Sequence, residues 1–134
     1  YGGELFHGVI PRVLKTDNYK ELSWPDLANG LVEVDSAGWD EPWDKLSDRI
    51  LEGFEAIARE VESSGGGNAL VVSHSMTIGT LAYLVDENIT KNPNVDNGSV
   101  TVREYENGRF TIQDLGDVSY RQIGAAILDR ENQE

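Results

Sequence analysis

The chain has 134 residues, 24 of them acidic and 11 basic, with a formal net charge of −13 and an apolar fraction of 39%. That suffices for one core, while a field of this sign repels nucleic acid and anionic membrane, so neither is an expected partner. There is no cysteine, which excludes disulfides and thiolate metal sites. No apolar run is long enough to cross a membrane and no signal peptide is evident, so a single cytoplasmic domain over residues 1–134 is the expectation.

The first forty residues are weakly periodic. Leu5 to Leu14 is apolar but interrupted by Gly8 and Pro11, which limits it to short helices. Ser23-Trp24-Pro25 reads as an N-cap followed by a helix with proline in its first turn, closed by Gly30. Trp24, Leu27, Leu31 and Val34 are its packing residues. Residues 1–40 are therefore expected to form a lid-like helical excursion.

The strongest helix signal begins at Asp40-Glu41-Pro42-Trp43, with Asp40 as candidate N-cap. Trp43, Leu46, Ile50, Phe54, Ile57 and Val61 recur at helical spacing and make one apolar stripe. Arg49, Glu52, Arg59 and Glu62 fall on the solvated side. Ser63 to Asn68 is a glycine-rich turn. Ala69 to Val72 then reads as a strand buried on both faces, and Met76 to Val85 as a helix. Between them, Ser73-His74-Ser75 occupies the carboxyl end of the strand, where open α/β sheets bind ligands. The Ser75 and Met76 amides would lie in the helix's first turn and favour an anion.

Downstream, Asp86–Val95 reads as a polar loop and Ser99–Tyr105 as an alternating strand. Asn107-Gly108 marks a tight hairpin, and Phe110, Ile112 and Leu115 return along the second strand. A last helix is expected from Ser119 to Leu128, with a frayed tail from Asp129.

Of the two histidines, His7 sits in a weakly patterned segment, where a lone imidazole is more often structural. His74 is the candidate catalytic residue because of its place between strand and helix. A serine hydrolase does not fit, because Val71-Val72-Ser73-His74-Ser75 lacks both glycines of the nucleophile elbow. Gly65-Gly66-Gly67 precedes its strand, whereas phosphate-cradling loops follow one. Two separated histidines give no zinc-ligand spacing.

Asn68-Ala69-Leu70-Val71-Val72-Ser73-His74, followed by Met76-Thr77-Ile78, resembles the second-histidine motif of the histidine phosphatase superfamily, in its phosphoglycerate-mutase-like branch. Gly38-Trp39-Asp40-Glu41 with Arg49 resembles that family's Gly-Glu-Ser…Arg helix start, with Pro42 in place of the serine. Asp96-Asn97-Gly98-Ser99-Val100-Thr101 and Gly116-Asp117-Val118-Ser119-Tyr120 resemble its closing strands. The resemblance covers residues 38 to 121. It implies a three-layer α/β sandwich, with a mainly parallel sheet and helices on both faces, incomplete at its N-terminal side. It also implies phosphatase or mutase chemistry on small phosphomonoesters through a phosphohistidine, with no metal and no other cofactor.

On that reading His74 corresponds to the second histidine, and Ser75 and Met76 supply amides to the substrate. Arg12, and with it Lys15, is a candidate for added positive charge. The family's Arg-His-Gly nucleophile motif has no match. Phe6-His7-Gly8 carries phenylalanine for the arginine, Glu4 has no acid motif around it, and Ser75 stands where the family usually has glycine. The chain also opens at Tyr1 rather than at a methionine. It is therefore expected to be a piece of a larger enzyme, inactive alone, with the absent N-terminal segment or a second copy as partner. The competing expectations are a non-catalytic binding or scaffold domain that kept one histidine, and an independent enzyme using His7 with His74.

Overall fold

The computed structural model describes residues 22–88 and 95–131. The expectations placed on Glu4, His7, Arg12 and Lys15, on most of the lid and on part of the Asp86–Val95 loop lie outside the described residues. In chain order the elements are α1 (Trp24–Val34), α2 (Trp43–Ser63), α3 (Ser75–Val85), β1 (Val100–Glu106), β2 (Arg109–Asp117) and α4 (Ser119–Glu131).

Helix α1 starts as expected. The Ser23 hydroxyl accepts from the Asp26 amide at 3.2 Å and donates to the Asp26 carboxylate at 2.6 Å, with proline in the first turn. It does not stop at Gly30. A mid-helix glycine costs about 1 kcal/mol, and burial of Ala28 and Leu31 outweighs that, so the helix runs to Val34. Asp35 then closes it. Its carboxylate accepts from the amides of Ala37 (2.9 Å), Trp39 and Asp40 (2.8 Å). Because the helix begins only at Trp43, Asp40 is not the cap of α2. That position falls to Pro42, whose side chain makes no capping bond; the Trp43 amide is instead met by the Asn29 side chain at 2.9 Å.

The stripe of α2 packs towards α3. Ile50 is 4% exposed, and Trp43 meets Tyr83 edge to face with ring centroids 5.4 Å apart. Leu81 and Ala82 of α3 are fully buried, which makes α3 the centre of the core. Such a helix is short and apolar all round, as a buried helix should be.

Strands β1 and β2 form an antiparallel hairpin with Glu106 opposite Arg109. Asn107 and Gly108 have φ of 53° and 78°, the pair of positive values that a two-residue type I′ turn requires. Arg103 of β1 fastens the hairpin to the helices. Its Nη2 donates to the Ile78 carbonyl at 2.7 Å, and its guanidinium lies 5.5 Å from the Phe54 ring centroid. Burial pulls its pKa down to about 10, which leaves it charged at neutral pH.

Two expectations are corrected. Ala69 to Val72 is not a strand, for it pairs with no other strand among the described residues. Leu70 is 93% and Val72 92% exposed. A strand exists by virtue of a neighbour's amides and carbonyls, and without one these residues are extended chain. For the same reason the described residues hold a two-stranded antiparallel sheet rather than a mainly parallel sheet covered on both faces. Helix α4 runs on to Glu131 and buries none of its residues.

Candidate functional site

His74 is the N-cap of α3, with φ −109° and ψ 157°. Its carbonyl takes the first helical bond, from the Ile78 amide at 3.0 Å. Extended backbone at the cap and helical backbone from Ser75 onward leave the first-turn amides without intrahelical acceptors, pointing away from the helix body. The His74 side chain makes no capping bond to them. The helix start borders a cavity of about 160 Å³, whose walls are Ser73, His74, Ser75 and Ile78 on one side and the loop from Val95 to Ser99 on the other.

The loop is brought there by the hairpin. Arg103 draws β1 against the Ile78 carbonyl, so the residues leading into β1 arrive beside the start of α3. A tight turn, in which the Ser99 amide donates to the Asp96 carbonyl at 3.1 Å, folds the loop back. Gly98 there has φ of +73°, a conformation that side-chain-bearing residues rarely adopt.

Charge is sparse on the helix side. Between Glu62 and Asp86 the chain contains no Asp, Glu, Lys or Arg, so nothing on the segment carrying His74 repels an anion. Asp96 is the acidic residue in the cavity wall. Near the other end of α2's entry, Arg49 holds both carboxylate oxygens of Glu41, its Nε lying 2.9 and 3.1 Å from them. The hydrogen bond and the guanidinium charge hold the Glu41 carboxyl below its ordinary value. This pair is what the Gly-Trp-Asp-Glu…Arg pattern builds: a clamp across the start of α2, between a residue just before the helix and one nearly two turns into it.

A sequence profile for the histidine phosphatase superfamily (branch 1) matches residues 14–118. The chain belongs to that superfamily. A solved phosphoglycerate mutase from Bacillus anthracis strain Sterne is similar in structure, with a TM-score of 0.76 at 28% identity over 84% of this chain. The matched part spans 51% of the mutase, about half its length. The fold is thus an α/β fold similar to that mutase. A search of curated proteins gives no match.

Of the expected site residues, the structure brings His74 and Ser75 into the cavity wall. Met76 contributes to the first turn of α3 through its backbone and is not among the wall residues. Arg12 lies outside the described residues. Asp96 to Ser99 were visible in the sequence only as the lead-in to a strand, and their place opposite His74 was missed. The signal that could have found them is the Asn97-Gly98-Ser99 turn directly ahead of a hairpin whose strand returns to the core. The His74 ring is exposed, and no hydrogen-bond partner fixes it among the described residues. No helix described here is long and apolar enough to cross a membrane.

Proposed function

We propose that these residues form the second-histidine half of a phosphoryl-transfer site acting on small phosphomonoesters in the cytoplasm. The observation that carries this reading is the cavity itself. The start of an eleven-residue helix and the exposed His74 border one opening, in a chain of this superfamily.

The chemistry follows from the charges. In the family's reaction a nucleophilic imidazole attacks phosphorus, an N–P bond forms and the ester P–O bond breaks, and the alcohol leaves with a proton from a general acid. Water or an acceptor alcohol then attacks the phosphohistidine, the N–P bond breaks, and phosphate or a new ester departs. Such transfer depends mainly on in-line positioning and on neutralising the phosphoryl oxygens. His74 supplies a donor to one of those oxygens, and the Ser75 and Met76 amides supply fixed dipoles. The nucleophile and its arginine belong, on this reading, to sequence outside these 134 residues, and the chain alone binds phosphate without turning esters over.

The test uses orthophosphate and the ring resonances of His74, followed by NMR at constant ionic strength. His74→Ala removes the probe and identifies the signal. Ser75→Pro removes one amide donor at the first helical position, where proline is tolerated. The extended backbone of His74 (ψ 157°) already suits a residue before proline. Loss of one charge-assisted bond costs about 1.5 kcal/mol, close to tenfold in affinity. A His74 resonance indifferent to orthophosphate, or equally responsive in Ser75→Pro, rejects the proposal.

A further inference from the structure

Arg121 stands just outside the cavity and holds its far wall from behind. Its Nη1 donates to the Asn97 carbonyl at 2.6 Å. Its Nη2 is 3.8 Å from the Asp96 carboxylate. Between these two contacts its aliphatic stem crosses Gly98, close enough that a Cβ built on the glycine would lie 3.5 Å from Cδ. One side chain therefore touches three consecutive residues of the wall that faces His74. Helix α4, which carries it, buries none of its own residues, so this grip is not a by-product of core packing.

The charge arithmetic gives the grip a purpose. The chain is strongly acidic, and the wall opposite the helix start contributes a carboxylate to a cavity whose other assets favour an anion. An uncompensated Asp96 would oppose the phosphoryl group that the α3 amides attract. A guanidinium bound to the same loop cancels that charge and fixes the loop's distance from His74. Arginine suits both tasks, because its separate Nη donors reach a carbonyl and a carboxylate at once.

We propose that Arg121 is a positioning residue of this site, which holds the Asp96–Ser99 wall in place and neutralises Asp96 so that a phosphate-bearing ligand can enter. The proposal rests on the phosphoryl reading of the cavity. It adds a residue from outside the cavity, on the last helix, to the determinants of anion affinity.

Orthophosphate is titrated against the His74 ring resonances of four proteins at one ionic strength: the unaltered chain, Arg121→Ala, Arg121→Lys and the double variant Asp96→Asn/Arg121→Ala. Far-ultraviolet circular dichroism establishes that each is folded. Arg121→Ala is expected to weaken phosphate about fivefold, the size of one solvent-screened charge a few ångströms from an anion. Arg121→Lys keeps the charge and recovers most of the affinity. The double variant removes the offending carboxylate and recovers part of the loss, the remainder being what the arginine contributes by holding the wall. Unchanged affinity in Arg121→Ala overturns the proposal. So does a loss that Asp96→Asn fails to reverse even in part, since the arginine would then be only a structural prop. Response to phosphate in the unaltered chain that is lost in Ser75→Pro, with no effect at Arg121, leaves the phosphoryl reading standing and removes this inference alone.

Discussion

Gly79 sits where α3 passes Trp24 of α1, and replacing it with alanine tests the contact that holds the two helices together. A Cβ on Gly79 would fall 2.3 Å from Cζ2 and 2.7 Å from Cη2 of the indole, where carbon atoms at ease stand about 3.5–4.0 Å apart. The ring is rigid and belongs to the capped first turn of α1, while Gly79 and the three residues after it are buried. Either the indole retreats by about 1 Å or more, or α1 shifts; overpacking of this kind costs about 1–3 kcal/mol. Alanine recovers about 0.8–1.0 kcal/mol of helix propensity over glycine. A clash with a rigid ring belongs at the upper end of the overpacking range, which leaves a net loss of about 2 kcal/mol.

With an unfolding entropy of about 2.1 cal/mol/K per residue, that loss lowers the melting temperature by about 7 °C. The control is Gly53, exposed in the middle of α2, with nothing within 4 Å of the Cβ position. There the same substitution keeps only the propensity gain and raises the melting temperature by about 3 °C. Thermal unfolding of both variants by circular dichroism decides the matter. Gly79→Ala melting at or above the unaltered chain would refute the packing argument, because propensity alone would then account for both sites.

Thr80 is fully buried and its hydroxyl has no partner among the described residues; Thr80→Val should therefore raise stability by about 1 kcal/mol in a denaturant titration, since it removes a desolvated polar group while nearly preserving shape. Acid sensitivity should centre on Asp35, Glu41 and Asp117. The Asp40 amide above all holds Asp35 below its ordinary 3.8, the Arg49 hydrogen bond holds Glu41 below 4.5, and the Ser119 amide lowers Asp117. Groups depressed in the folded state stabilise it fully above their unfolded values and lose that contribution as pH falls through the folded ones. Melting temperature should thus decline below about pH 4.5, and Asp35→Asn, destabilised at neutral pH, should converge on the unaltered chain as the pH drops; a deficit constant from pH 7 to pH 3 would exclude this origin.

What could be read from the sequence was what local rules govern. The α2 stripe, the Ser23 cap and the Asn107-Gly108 turn each follow from residues within a few positions of one another. His74 as the opening of a helix is of the same kind, because an apolar run, a polar break and a second apolar run mark the boundary. Gly30 misled because a propensity of about 1 kcal/mol was set against the burial of Leu31, which lies one residue beyond it. Asp40 misled because α2 begins at Trp43, which leaves the cap position to Pro42. The Asp96–Ser99 wall and the Arg121 grip join segments more than twenty residues apart in sequence, as the Asn97 contact does, and no periodicity reports such a contact. Ala69 to Val72 shows the limit from the other side: its composition states what environment the segment suits, but pairing depends on a neighbour that the composition cannot supply.

That last point bears on how the site works. On the proposed reading, the part that attracts an anion is made by backbone: the ψ of His74, the bond from the Ile78 amide to its carbonyl, and the amides that follow. None of these needs a sheet, and all are present although Leu70 and Val72 stand in solvent. Orientation of the His74 ring is different, because a side chain is fixed only by what packs against it or bonds to it, and among the described residues no bond does so. If the proposed reading holds, affinity for an anion and orientation of the imidazole are therefore separable. Ser75→Pro should weaken phosphate binding even where the imidazole is free to turn. Strand pairing at Ala69–Val72, by contrast, would change the imidazole's freedom while leaving the amide contribution as it is. Measuring His74 ring order before and after orthophosphate addition distinguishes the two: a ring that stays mobile in the bound state places the affinity in the helix start, whereas a ring that freezes on binding places a share of it in the imidazole.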